Sequence, residues 1–463
     1  MLEQFWLMVW LIVWVVAMIL VIRDQWNLNI PSVGLPIIYL LALSIIHWFG
    51  ALIYTFPWYT PTHPYLVANS GIINTTAGFS ETTYGVLGFA YGSIILTPWL
   101  LKKTRPSWLY EYVSQPNLSL SKNLIYIGLF FFALAPILGK IPSFTAIATS
   151  GISLFIVGLC LSCWKAWRTG DKRAFRRWLL ITCSMPVITM ATLGFLGYGA
   201  GAASVVLVFI FNFYQPRWKI ILIALLVLLL GLSVFVTYGR DRDKLREKVW
   251  GGQSAQARVE QVWQTFREFE VFDPFKQEHL EVIDLRLNQN ALIGKSVNYL
   301  SNNTVSYANG ETLLQAALAL VPRIVWPNKS VKAGSPQLVS RYTGQKFSAG
   351  TSVGVGQVLE FYINFGTLGV IVGFIIFGTL IRIIDITAGQ KLIHGNWMGF
   401  TSWLLPGLGL IQPGGSLVEV VSSVASSLVL IYFLTRFYRR GNYRPETTLN
   451  PYSTLSPRIP SDT

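Results

Sequence analysis

The sequence predicts an all-α, polytopic membrane bundle of about eleven helices, and three observations carry that prediction. Hydrophobic residues fill 52% of the 463 positions and charged residues only 12%, with a mean hydropathy of +0.49, whereas soluble domains are about a quarter charged. Apolar runs near the ~20 residues that a helix needs to cross hydrocarbon recur along the chain. The Lys and Arg residues between those runs fall almost entirely on alternate connections.

The runs lie near 4–22, 33–55, 82–101, 123–139, 145–164, 178–196, 199–214, 220–238, 358–381, 398–411 and 416–435. The first is preceded by Glu3 and by no Lys or Arg, so it lacks a signal peptide's basic region and reads as a retained span. The stretch 398–411 is short enough to be re-entrant, and Gly197–Gly201 is tight enough to make its flanking runs a near-continuous helical hairpin.

One set of connections holds Arg23, Lys102, Lys103, Arg105, Lys122, Lys165, Arg168, Lys172, Arg173, Arg176, Arg177, Arg217, Lys219, Arg382 and Lys391, with more in the tail; the opposite short connections hold Lys140 alone. Positive residues in short loops stay cytoplasmic, so the N-terminus is expected outside and the C-terminus inside. In a bacterium the outside face of this inner, or plasma, membrane is periplasmic. The remaining basic residues fall in 239–357, and a long loop crosses largely regardless of charge. The expected plan is a bundle over 1–238, a periplasmic helical cap over 239–357, further spans over 358–437 and a disordered cytoplasmic tail over 438–463, rich in Pro, Ser and Thr.

A net charge of +15 raises nucleic acid as a partner, but that footprint needs a basic patch on a soluble domain, and here the cations sit between apolar runs. Cys160, Cys163 and Cys183 all lie in apolar runs, so no disulfide framework braces the cap. Cys160 and Cys163 form a CxxC without a second pair, which reads as packing rather than metal or redox chemistry. His47, inside the second run, reads as a hydrogen-bonded packing residue. Trp6, Trp10, Trp14, Trp48, Trp58, Trp99 and Trp108 read as an interfacial belt.

Within the cap, Val259, Val262, Trp263, Phe266 and Phe269 recur at helical spacing after Ser254, predicting an amphipathic helix that lies on the membrane or caps the bundle. Asn309–Val321 is expected as a second helix, with Asn309 as cap, Glu311 in the first turn and Pro322 as stop. Ser335-Pro336 opens a third that ends near Gly344. Arg323, Lys329, Lys332, Arg341 and Lys346 follow one another with no acid between Glu311 and Glu360. Like charges repel unless an anion joins them, and Arg suits two-pronged phosphate contact, so the diphosphate of a lipid carrier is the expected ligand.

GETLLQAALALVPRIVWPNKS, a Gly-rich stretch and then GVGQVLEFYINFGTLGVIVGF resemble the O-antigen (Wzy-type) polymerases, which join lipid-linked oligosaccharide repeats, and more distantly the O-antigen ligases. The likeness rests on Pro322, Arg323, Trp326, Pro327, Asn328 and Lys329, and on Glu360, Phe361, Tyr362, Asn364, Phe365 and Gly366. It covers roughly 280–375 in detail and the whole chain in layout. It implies a C-class glycosyltransferase-like bundle whose active site sits at the outer boundary. A lipid-diphosphate-linked oligosaccharide would be the donor, a second one the acceptor, and a chain-length regulator a candidate partner. The resemblance departs in one respect: residues 56–81 contain Glu81 as their single acid, where many C-class enzymes place acidic metal ligands. No metal or cofactor is expected, and fixed cations would stabilise the leaving group.

Arg323, Arg341, Arg286 and Arg240 are the first candidates for that task, followed by Arg242 and Lys329; each has a solvated or lipid-headgroup anchor as its alternative. Glu360 is the candidate base, beside Tyr362 and Asn364, against a role complementing a helix dipole. Trp326 is expected to anchor its turn and complete the substrate-binding set. Glu311 and Glu419 are lesser acids, the latter an intramembrane candidate; His279 reads as a surface residue. Asp241-Arg242-Asp243 is a DxD best read as local ion pairing. Transport or flipping of lipid-linked glycans, a membrane acyltransferase and a non-catalytic assembly subunit are the competing functions.

Overall fold

The structure, a computed structural model, describes residues 2–26, 30–109, 116–138, 144–214, 219–321, 326, 336–347 and 353–441. Arg323, Lys329, Lys332, the prolines of the PRIVWPN turn, Lys140 and the tail beyond 441 lie outside the described residues. The described chain is helical, with no strand among those residues.

Apolar side chains face both inward and outward, as hydrocarbon solvation demands and water forbids. In α1 (Leu2–Gln25), Leu7, Leu11, Trp14, Ala17 and Val21 are buried while Phe5, Met8, Ile12, Val16 and Ile19 are exposed. Among the described residues, seven helices are long and apolar enough to cross a membrane: α1, α2 (Leu35–Ile53), α4 (Ile72–Tyr91) continued into α5 (Thr97–Thr104), α7 (Phe144–Arg168), α9 (Leu196–Tyr214), α16 (Gln357–Ile393) and α18 (Leu417–Gly441). The α3 turn is Pro64–Asn69. The other expected spans fall on α6 (Leu120–Leu138), α8 (Lys172–Leu193), α10 (Lys219–Trp250) and α17 (Trp397–Leu410). Among these, α17 has only 14 residues, and α8 opens on Lys172, Arg173, Arg176 and Arg177. Helices α8 and α9 are joined by two residues, with Gly194 at φ 75° closing the first, the left-handed C-terminal cap that glycine takes without strain.

Small residues bring backbones close. Along α4, Glu81, Gly85, Gly88 and Gly92 meet Thr367, Val370, Ile371 and Ile375 of α16 in rising order, so the two helices run parallel. A Cβ at Gly92 or Gly378 would overlap the opposing carbonyl.

Helix α16 is not one rod. Phe365 and Gly366 leave helical geometry, Gly366 at φ 61° and ψ −154°. The limb before them folds back on the limb after: Phe361 packs on Phe374 and Phe377 at 5.9 and 6.0 Å between rings, and Gly373 makes room for it. Gln357, at the start of the first limb, meets the hydroxyl of Tyr39 in α2.

The segment expected as a cap is only partly one. Helices α12 (Gln277–Leu287) and α13 (Asn290–Ser301), which pattern reading left unassigned, form a hairpin whose tip enters the bundle between α2 and α4. Gln289 N–H donates to Ile46 O at 3.0 Å and Asn290 Nδ2 to His47 O at 2.8 Å. Ile46 lies seven residues before the end of α2, so the tip reaches ~10 Å below that end. Gly50, Gly78 and Gly294 admit it, since a Cβ at any of them would collide with Asn288, Asn290 or Asn74. A polar network seals the hairpin: Asp284 accepts from Tyr54 and Tyr59 hydroxyls at 2.6 Å each and from Asn288 Nδ2 at 2.7 Å.

Helix α11 (Ala255–Arg267) follows the expected start, with Ser254 Oγ accepting from Ala257 N–H at 3.3 Å. Val262 packs inward while Val259 and Trp263 stay exposed. Helix α14 (Glu311–Ala319) starts two residues later than expected. Asn309 does not cap it; Gly310 holds the N-cap position at φ 92°, and Gly310 N–H donates to the side chain of Asn364 instead. Helix α15 (Pro336–Thr343) matches its expected bounds. Arg382, counted above as a loop cation, is fully buried inside α16. It donates to Asp24 at 2.8 Å and Asp385 at 2.6 Å, and Asp385 caps α2 through the N–H groups of Val33, Gly34 and Leu35.

Candidate functional site

The fold sorts the cap's cations by what surrounds them. Arg240, near the end of α10, donates to Glu270 at 2.6 Å, to Asp241 at 2.9 Å and to the Glu268 carbonyl at 2.9 Å. Glu270 also accepts from Lys276 at 2.7 Å and His279 Nε2 at 2.9 Å. Lys276 first, then His279 and Arg240, pull the Glu270 carboxyl down to about 2. His279 is buried, contrary to the surface placement expected: its Nδ1 accepts from Asp273 N–H at 3.1 Å, so the neutral ring donates to Glu270 through the other nitrogen. The Asp241-Arg242-Asp243 run pairs locally, with Lys244 joining Asp241 at 3.5 Å. Arg341 lies 3.5 Å from Glu311 and over the Tyr342 ring.

Arg242 and Arg286 differ from these. Arg286, on α12, makes no hydrogen bond or ion pair among the described residues; it lies within electrostatic reach of Arg242, Tyr238, Tyr65 and Asp243. Burial, then the neighbouring Arg242 cation, lowers its pKa. Arg242 touches Asp243 at 3.3 Å, but that carboxylate is 92% exposed and such pairs contribute little; its second partner is the neutral hydroxyl of Tyr238. Tyr65, from α3, accepts from Gln345 Nε2 at 2.7 Å, and the buried Gln345 Oε1 has no partner among the described residues. Lys295 on α13 donates to Asn69 Oδ1 of α3 at 2.6 Å. This face therefore combines two guanidinium groups, a tyrosine and an amide, an arrangement suited to an anionic, hydroxyl-bearing ligand.

The expected base is placed elsewhere. Glu360 is buried in the first limb of α16, where its Oε2 accepts from Leu417 N–H, the first residue of α18, at 2.7 Å. Thr312 of α14 bonds the same carboxylate. Asn364 ties the same elements: it donates to Thr312 at 2.7 Å and accepts from Gly310 N–H at 2.9 Å. Glu360 and Asn364 thus join α14, α16 and α18, and Glu360 faces the N-terminus of α18 while standing in the first turn of its own helix. Glu419 and Ser416 form a capping box at the same terminus, 3.0 and 3.3 Å. Trp326 is 46% exposed.

Tyr362 is buried and hydrogen-bonds Tyr307, within electrostatic reach of Glu81. Glu81 was absent from the expected site. Its signal was legible, an acid ten residues into an otherwise uncharged helix, because an intramembrane carboxylate is a functional candidate by default. Among the described residues no group of three His, Cys, Asp or Glu side chains is placed to hold a metal ion.

Residues 39–443 match the family described as Domain of unknown function (DUF8712). The chain belongs to that family. No curated protein and no solved structure matches it. The family match begins inside α2 and takes in the inserted hairpin and both limbs of α16, so the cationic face, Glu81 and Glu360 all fall inside it.

Proposed function

We propose that the protein is a membrane glycosyltransferase that joins lipid-diphosphate-linked oligosaccharide repeat units into a cell-surface polysaccharide, acting at the periplasmic face of the bacterial inner membrane. The carrying observation is the Arg242–Arg286 pair, two guanidinium groups within electrostatic reach of each other whose nearby acid, Asp243, is solvated. Like charges held together favour the arrival of an anion, and guanidinium forks match phosphate oxygens. As a glycan leaves a diphosphate, charge grows on the departing oxygen, and cations already in place stabilise it. In this reading Arg242 and Arg286 grip the donor diphosphate, with Arg323, Lys329 and Arg341 as further cations and Trp326 at the interface. Arg240 instead holds the α10 exit to the Glu268–Lys276 connection. The acceptor is the non-reducing sugar of a second lipid-linked repeat. The sequence likeness to O-antigen polymerases supports the same reading.

Replacing both arginines, Arg242→Ala with Arg286→Ala, is expected to lower polymer formation about 100-fold at unchanged protein level, while single lipid-linked repeats accumulate outside. Undiminished polymer would overturn the proposal. A second reading, transport of lipid-linked glycans, is favoured by the reversal in α16 and by the inserted tip of the α12–α13 hairpin, since transporters place broken helices around their substrates. Accumulation of repeats on the inner face would favour it.

A further inference from the structure

We propose, resting on the transferase reading above, that Glu81 accepts the proton of the attacking sugar hydroxyl. Glu81 is only 8% exposed. Its Oε1 accepts from Thr367 Oγ1 at 2.8 Å, and its Oε2 has no hydrogen-bond partner among the described residues. A dry carboxylate oxygen without a donor is unfavourable, so a residue that keeps one has a partner to come. The buried Glu360 and Asp284 and the half-buried Glu419 are engaged: Glu360 by Leu417 N–H and Thr312, Glu419 by Ser416 N–H, Asp284 by two tyrosines and Asn288.

The surroundings of Glu81 suit a lipid-borne sugar. Thr367 is the first residue after the reversal in α16, where Gly366 holds a φ of 61° that disfavours any side chain. Tyr362 and the half-exposed Tyr307 supply hydroxyls beside it. Phe365 and Leu368, 51% and 73% exposed, continue through Val372 and Ile376 as an apolar strip along which the hydrocarbon of a polyprenyl-type carrier can lie.

The step balances without a further reagent. The acceptor hydroxyl oxygen bonds to the anomeric carbon of the donor glycan. The bond from that carbon to the diphosphate oxygen breaks, and its electron pair leaves with the diphosphate. The hydroxyl proton passes to Glu81 Oε2 and later to water.

The test uses the full chain in membranes carrying the host's own lipid-linked repeats, with polymer read as a ladder of lengths. Glu81→Gln keeps an acceptor for Thr367 and removes the proton acceptor, so polymer formation should fall 100-fold or more with an unchanged melting temperature. Thr367→Val, which removes the hydrogen bond and keeps the carboxylate, should lose less. A merely structural Glu81 reverses that order, and full polymer from Glu81→Gln also overturns the assignment. If Glu81→Gln lowers the melting temperature, Glu81→Asp decides: retained polymer at equal stability supports the assignment, and loss in step with stability overturns it. The Arg242→Ala/Arg286→Ala chain is measured alongside. If it is inactive while Glu81→Gln is active, only the Glu81 assignment falls; if both are active, the transferase reading falls with it.

Discussion

Arg240, Arg242 and Arg286 carry the same guanidinium, and their neighbours decide what each is free to bind. Both Arg240 and Arg242 flank Asp241, and the local sequence gives Arg242 a second acid, Asp243, so it points to the wrong one of the two as the neutralised cation. The distinction comes from Glu270, which returns to Arg240 from thirty residues away. That carboxylate also sets a pH dependence. Its pKa in the folded chain is depressed from 4.5 to about 2, so its stabilising contribution is complete above the unfolded value and is lost as pH falls from 4.5 toward 2. Protection factors for hydrogen exchange across 237–279, taken relative to the intrinsic rate at each pH, should fall over that window, and Glu270→Gln should flatten the dependence. Equal dependence in the variant would count against the assignment. The buried carboxylates illustrate the same limit of legibility: Glu360 was visible as an acid opening an apolar run, but its grip on α18 depends on a residue 57 positions away.

At the level of elements, start and stop signals were read well where they are local. Ser254 and Pro336 open α11 and α15 as their chemistry predicts. The cap of α14 was misplaced because its Gly310 N–H is satisfied by Asn364, a tertiary partner. Helices α12 and α13 escaped notice because their buried faces are mixed: Asp284, Asn288, Asn290 and Ser296 are buried beside Ile283 and Ile293, so no apolar stripe marks them. Their insertion depends on glycine. Gly294→Leu would drive a side chain into the Asn74 backbone, an overpacking that costs about 1–3 kcal/mol or more. The melting temperature in detergent should drop by several degrees; an unchanged melt would show that the hairpin is not seated against α4.

Across the whole molecule, the charge asymmetry predicts opposite sides for the cap and for the Lys165–Arg177 connection. Arg382 leaves that count, being buried with Asp24 and Asp385, and Lys391 is buried too; the remaining imbalance still points the same way. In intact cells an impermeant thiol reagent should therefore label Trp263→Cys on the exposed face of α11 and spare Arg173→Cys. Labelling of the second alone would invert the topology and remove the proposed site from the outer face.

Composition and the spacing of apolar runs were sufficient to establish a helical membrane protein, because a backbone in hydrocarbon has to satisfy its own hydrogen bonds and twenty apolar residues in a row have few other places to go. Which cations are neutralised, which carboxylate keeps an unpaired oxygen, and that part of the cap descends into the bundle were decided only in three dimensions. Each depends on partners such as Glu270 for Arg240, Thr367 for Glu81 and Gly78 for Asn290, and a linear pattern carries no information about which distant residue arrives at a given face.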